Sequence, residues 1–208
     1  MAGSLPCVRL LIGTKNRGKM IEFRRTLDPL GFQIVEPEQL DIHEEPEENG
    51  DTFEENALHK ARFYFEQSNV PTIADDSGII VDALRDELGV KTRRWGAGPS
   101  ASDEEWIRFF LKRMENEQNR TARFVATIAY INADGTQHLF TGSCEGDITE
   151  SLESDYLPGL PLLGCFRAKG YTDVLHRMDP EEFRQVNHRQ QALQQFIEYI
   201  SHSNTALH

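Results

Sequence analysis

Residues 53–78, "FEENALHKARFYFEQSNVPTIADDSG", decide the fold class. Thr52 and Glu55 are spaced as a capping box, which predicts a helix from about Phe53 through Ser68. The apolar run "VPTIA", residues 70–74, then reads as a buried strand leading into Asp75 and Asp76. Asp-Ser-Gly at 76–78 has the chemistry of an Asx turn, so the strand is expected to end at the aspartates. A turn accounts for one carboxylate but not for two. Adjacent carboxylates repel, and a strand end near a core offers little water, so a metal ion, lysines or open solvent must face them. On the preceding helix, Phe53, Asn56, Ala57, Lys60, Ala61 and Tyr64 share one face, while Glu54, Glu55, His59, Arg62 and Glu66 lie on the other. An inward lysine is costly unless it snorkels to the edge or meets an anion, and an inward aspartate pair supplies one.

Outward from this unit, "VRLLIG" at 8–13 reads as a buried strand, "TKNRGK" as a loop, and "MIEFRRTLDPLG" as a helix stopped by Pro29 and Gly31. The stretch 41–50, "DIHEEPEENG", has no apolar period and is an acidic loop. Ser102 and Glu105 cap a further helix with an apolar stripe of Trp106, Phe109, Phe110 and Met114. "TARFVATIAYI", "NADG" and "TQHLFTGSCEGDIT" predict an antiparallel hairpin, so the sheet is mixed. Asp179 and Pro180 open another helical stretch. An amphipathic helix follows with Leu193, Phe196, Ile197 and Ile200 inward, and the tail at about 201–208 is expected to fray. The 208 residues carry no repeat or linker that would cut them, so they form a single α/β domain.

Three cysteines, Cys7, Cys144 and Cys165, give an odd count without CxxC spacing, which points to a reducing compartment. No run of about 18 apolar residues occurs and no basic stretch precedes an apolar one at the start, so a cytoplasmic chain with no membrane partner is expected. A net charge of −12 argues against a nucleic acid polymer as partner but permits one basic pocket for a small anion. Gly13, Gly18 and Lys19 form a GxxxxGK string between strand and helix, a setting that cradles phosphate, with Lys15, Arg17 and Lys19 adding charge. Met20 stands where a Walker A loop needs the hydroxyl that holds magnesium, so any metal is held elsewhere. Glu47 or Glu48 can join Asp76 around a hard cation, although acidic loops are commonly just solvated. His188 and Arg189 follow Asn187 at an expected helix start.

Taken together, "TKNRGK", "ENGDTFEENALHKA", "IADDSG", "GVKTRRW", "RTARF", "GSCEGDI" and "NHRQQAL" resemble, in order and spacing, the house-cleaning inosine/xanthosine triphosphate pyrophosphatase family. The resemblance implies an elongated mixed sheet flanked by helices, two lobes with the active cleft between them, and a homodimer. It implies hydrolysis of nucleoside triphosphates such as ITP, dITP and XTP to monophosphate and pyrophosphate with Mg2+. Under it, Thr14, Lys15, Asn16, Arg17, Gly18, Lys19 and Asn56 would bind substrate, with Ser77, His188 and Arg189 on the nucleotide. Lys60 and Asp76 would be catalytic, Glu48 and Asp76 would hold the metal, and magnesium with Lys60 would neutralise the aspartate pair. The same chemistry on another modified or pyrimidine nucleotide, a regulator without turnover, and a P-loop phosphatase are the alternatives. The chain departs from the family where a "GFGYDP" segment is replaced by "GLPLLGC", residues 159–165, and where a lysine and a serine are replaced by Phe183 and Asn187. All of these departures fall on the expected base pocket, where Leu160, Leu163 and Phe183 would meet the base and Arg184 would reach inward.

Overall fold

The structure, a computed structural model, describes residues 9–84, 87–98 and 100–205, which leaves Cys7 and the last three residues of the expected frayed tail outside. Six strands form one sheet: β1 (Arg9–Ile12), β2 (Gln33–Val35), β3 (Thr72–Val81), β4 (Thr121–Ile131), β5 (Gln137–Ile148) and β6 (Phe166–Ala168). Their order is β2-β1-β3-β4-β5-β6, parallel across the first three and antiparallel from β3 onward. The helices are α1 (Arg17–Leu27), α2 (Phe53–Ser68), α3 (Asp103–Arg113), α4 (Pro180–Val186) and α5 (His188–Thr205). This is the mixed α/β sheet that the alternation of patterns predicts. Among the described residues, no helix is long and apolar enough to cross a membrane.

The aspartates do not end their strand. β3 runs unbroken through "IADDSG", because β4 pairs with every residue of it, Asp75 opposite Ile128 and Asp76 opposite Thr127. A ten-residue ladder outweighs the local turn preference of Asp-Ser-Gly, and the period of two sends neighbouring side chains to opposite faces. On one face Ala74 packs with Ala57 and Ala61 of α2. On the other, Ile73 joins a core with Phe23 of α1 and Leu193 and Phe196 of α5. Farther along that second face, Ile79 and Val81 join a separate core with Trp106 and Phe110 of α3 and with Phe166. Asp75 and Ser77 occupy the gap between the two cores, so one strand alternation sets both lobes and the polar seam between them.

Two boundaries and one apolar stripe differ from expectation. α1 begins at Arg17, because the Asn16 side chain accepts from Lys19 N at 3.1 Å and caps the helix inside what reads as a loop. α5 stays helical to Thr205. Of the apolar stripe expected on α3, Phe109 is exposed, 42% accessible, and Ile107 turns inward with Trp106 and Phe110 instead. Elsewhere the expected caps are present: Ser102 with Glu105 makes the full reciprocal box, and Thr52 accepts from Glu55 N while the Glu55 carboxylate turns to Asp51 N.

The start of α5 is pressed against β5 at Gly142, where an added Cβ would stand 2.2 Å from the His188 carbonyl oxygen. Gly142→Ala should therefore push the first turn of α5 off the sheet and cost about 1–3 kcal/mol in urea unfolding. Ser143→Ala, on the exposed face next to it, should stay within about 0.5 kcal/mol. Equal stabilities for the two variants would show that the close approach is not there.

Candidate active site

The seam between the lobes opens into a cavity of about 420 Å³, within the range of small-molecule sites. One end is polar, lined by Thr14, Lys15, Asn16, Lys19, Glu48, Lys60, Asp76, Ser77 and Arg189. The other is apolar and aromatic, with Trp106, Phe124, Leu160, Leu162, Leu163 and His188.

β1 delivers the first group. Gly13 lies so close to α2 that a Cβ would come 2.5 Å from the Tyr64 ring, so only glycine lets the chain leave the sheet there. The turn then presents side chains rather than a backbone nest. Gly18 N donates to Pro158 O at 3.0 Å, Lys19 N to Asn16 Oδ1 at 3.1 Å, and Asn16 N to Thr14 Oγ1 at 3.2 Å. The GxxxxGK string is thus a capped helix start whose second glycine makes room for Leu160 and Pro158, with the Gly18 and Lys19 amides taken by Pro158 O and Asn16 Oδ1. Arg17 is exposed and does not line the cavity. Lys15 Nζ donates to His43 O at 2.5 Å and Lys19 Nζ lies 3.1 Å from Asp75 Oδ2.

α2 delivers Lys60 and Asn56 from its inward face, as their spacing predicts. Lys60 Nζ sits 2.6 Å from Glu48 Oε1 and 3.6 Å from Asp76 Oδ1. Asn56 lies behind the cavity wall, donating to Asp76 Oδ2 at 2.9 Å and accepting from Gly50 N at 2.8 Å. Its place is that of a positioning residue that fixes Asp76 and the acidic loop, not of a substrate contact. Of the two candidate glutamates, Glu48 lines the cavity beside Lys60, while Glu47 is exposed and bonded to Asn49.

Asp75 answers to different cations from those expected. It is buried on the opposite face, between Lys19 and the Arg189 guanidinium, whose Nε is 3.0 Å from Asp75 Oδ2. Arg189 also donates to Ser77 Oγ at 2.9 Å and forms an ion pair with Glu22. Glu22 is absent from the sequence reading; its signal is an acid three residues past Lys19 on the stripe that carries Phe23 and Leu27. Burial works to raise the Asp75 carboxyl, but Lys19 and Arg189 outweigh it and hold it well below the ordinary carboxylate range. For Asp76 the balance reverses, since burial outweighs Lys60 and Lys19 and raises the carboxyl. Two adjacent aspartates are therefore pushed apart in acidity by the faces they occupy.

The apolar end differs from expectation at two residues. Phe183 packs against the core around Trp106 and does not line the cavity, and Arg184 is exposed and paired with Glu181. Leu160 and Leu163 do line it. Asn187 caps α5 by accepting from Gln190 N at 3.0 Å, which sets His188 on its first turn, stacked on Phe124 with centroids 4.8 Å apart.

The sequence profile of the Ham1 family matches residues 10–199. The chain belongs to the Ham1 family. A dITP/XTP pyrophosphatase of Leptospira interrogans is 37% identical over 192 residues, covering 92% of this chain and 96% of that protein. A dITP/XTP pyrophosphatase of Symbiobacterium thermophilum is 40% identical over 196 residues, covering 92% and 94%. The structure of a Ham1 protein from Coxiella burnetii superposes with a TM-score of 0.80 at 29% identity, covering 94% of this chain and 99% of that one. The mixed curled sheet is therefore a Ham1 fold along nearly its whole length.

Burial, then the nearby Arg189 charge, lower His188 well below its ordinary value of 6.5, so it is neutral when folded. A group depressed on folding stabilises fully above its unfolded value and loses that contribution as pH falls toward the folded one. The stability gap between wild type and His188→Gln should therefore narrow as pH drops below about 6.5, by up to about 1.4 kcal/mol per unit. Urea titrations at pH 7.5 and 5.5 measure it, and a gap independent of pH would mean that His188 is solvated.

Proposed function

We propose that this Ham1 chain hydrolyses (deoxy)nucleoside triphosphates, chiefly deaminated purines such as ITP, dITP and XTP, to the monophosphate and pyrophosphate. The observation that carries this reading is Asp76, a buried carboxylate of raised pKa, held by Asn56 and facing Lys60, at the cationic end of a cavity whose other end is apolar. The names of the Leptospira and Symbiobacterium relatives support the same reaction.

The polar end suits a triphosphate: Lys15, Lys19 and Lys60 bring cations to it, and the aromatic end suits a base. Asp76 orients a water and takes its proton as that water adds across the α–β phosphoanhydride, and the pyrophosphate leaves with the bridging oxygen. Lys60, shared by Asp76 and Glu48, balances charge on both sides of the reacting centre. Glu48 and Asp76 would hold Mg2+, an ion that is satisfied by one or two carboxylates plus waters and substrate phosphates, and the described residues contain no fuller acidic cage. Bound there, the ion would lower the pKa of water and neutralise phosphate charge. A cytoplasmic homodimer accords with this reading.

A panel of ITP, XTP, ATP and pyrimidine triphosphates, assayed separately for pyrophosphate and orthophosphate, tests it. Pyrophosphate should form fastest from the keto purines, and excess chelator should abolish it. Direct orthophosphate release, or full activity in chelator, would overturn the reading.

A further inference from the structure

The segment between β5 and β6 supplies Gly159, Leu160, Leu162 and Leu163 to the lining of the cavity. Its one helical turn, Pro161–Gly164, is short, so the place of the segment depends on contacts made from outside it. At Gly159 those contacts converge from both lobes. Asn16 Nδ2, at the start of α1, donates to Gly159 O at 3.2 Å, and Gly159 N donates to Asp103 Oδ2, on the first residue of α3, at 2.6 Å. One residue earlier, Pro158 O accepts from Gly18 N at 3.0 Å. Gly159 has a φ of 80°, and a Cβ there would stand 2.6 Å from Asn16 Nδ2, so the clamp closes only on glycine.

The start of α3 does not depend on Asp103 for its cap. Ser102 and Glu105 satisfy it as a reciprocal box, and the Asp103 carboxylate reaches out of the helix to the Gly159 peptide. A hydrogen bond from a peptide N–H to a carboxylate is charge-assisted and about twice as strong as a neutral one. It fixes the backbone one residue before Leu160, which packs on the core around Trp106 and lies over Gly18, 2.9 Å from where a Cβ would be. This segment has aliphatic residues where the family has an aromatic and an aspartate, so it meets an occupant by shape and dispersion, and such contacts weaken within about half an ångström of displacement.

We propose that Asp103 is a positioning residue for the base end of the cavity: through Gly159 it holds Leu160 where the base of a bound nucleotide is gripped. The inference rests on the nucleotide reading given above. The phosphate end has its own supports, since Lys19 is placed by the Asn16 cap and Asp75, and Lys60 by Glu48 and Asp76. Losing the Asp103 contact therefore loosens the base in the ground state and the transition state alike, which raises KM and leaves kcat.

Steady-state kinetics with ITP test this. Asp103→Ala should raise KM about tenfold with kcat within about twofold of wild type. Asp103→Asn keeps an acceptor and should bring KM back to within about threefold. Inorganic pyrophosphate engages the phosphate end alone and should inhibit wild type and Asp103→Ala with the same inhibition constant. Glu104→Ala removes a neighbouring charge from the same helix end, where Glu104 pairs with Arg108 in solvent, and should leave KM unmoved. A KM unchanged in Asp103→Ala, an equal rise in Asp103→Asn or Glu104→Ala, or an equal rise in the pyrophosphate constant overturns the proposal, while pyrophosphate release by wild type leaves the reaction standing. If Asp103→Ala does not fold, Asp103→Ser, whose hydroxyl stops one atom short of Oδ2, decides by the same KM. If wild type releases no pyrophosphate from any nucleoside triphosphate, the nucleotide reading and this inference fall together.

Discussion

A carboxylate with no access to water stays ionised only where cations meet it, and at Asp75 two of them do, Lys19 from α1 and Arg189 from α5. That contact joins three elements far apart in the chain at the point where the two apolar cores leave a gap on β3. Arg189 extends it to Glu22 and to Ser77, so the guanidinium has an acceptor on each of its three nitrogens. Breaking a buried pair by removing one partner costs about 3–5 kcal/mol, because the remaining charge has no replacement. The arrangement also fixes what surrounds it: Lys19 is held at the cavity edge, and His188, next to Arg189, is held against Phe124.

The adjacent aspartate shows how a sheet divides labour. Asp76 is one residue away yet faces α2, where Lys60 is shared with Glu48 and where Asn56 and the Ser77 N–H donate to the carboxylate. Asp75 thereby ties the fold together, and Asp76, with its raised pKa, is the carboxylate on which the proposed reaction calls. Had the chain turned at the aspartates, both carboxylates would have been at one surface and in competition for one set of cations.

Much of this was legible in the sequence where a pattern repeats. α2 and its inward Lys60 follow from three- and four-residue spacing, the hairpin of β4 and β5 from alternation around Asp134 and Gly135, and the caps at Thr52, Ser102 and Asp179 from residue type. What stayed hidden depends on partners distant in sequence. "IADDSG" has the composition of a turn, and only pairing with β4, some fifty residues later, makes it strand. Glu22 has no local reason to be acidic until Arg189 arrives from the far end of the chain. The phosphate-loop string hid the Asn16 cap, and the family motif that puts Phe183 at the base does not show that α4 packs it, half-buried, against the core instead.

The claim that one aspartate holds the fold and its neighbour does the chemistry is tested most directly by measuring unfolding free energy and turnover for Asp75→Asn and Asp76→Asn side by side. Asp75→Asn should lose about 3–5 kcal/mol of stability, because Lys19 and Arg189 remain buried with half their counter-charge. Asp76→Asn should keep its stability within about 1 kcal/mol, since its carboxylate is already disfavoured by burial, while turnover falls about 10²- to 10⁴-fold. A stable Asp75→Asn, or an Asp76→Asn that turns over like wild type, would contradict the division.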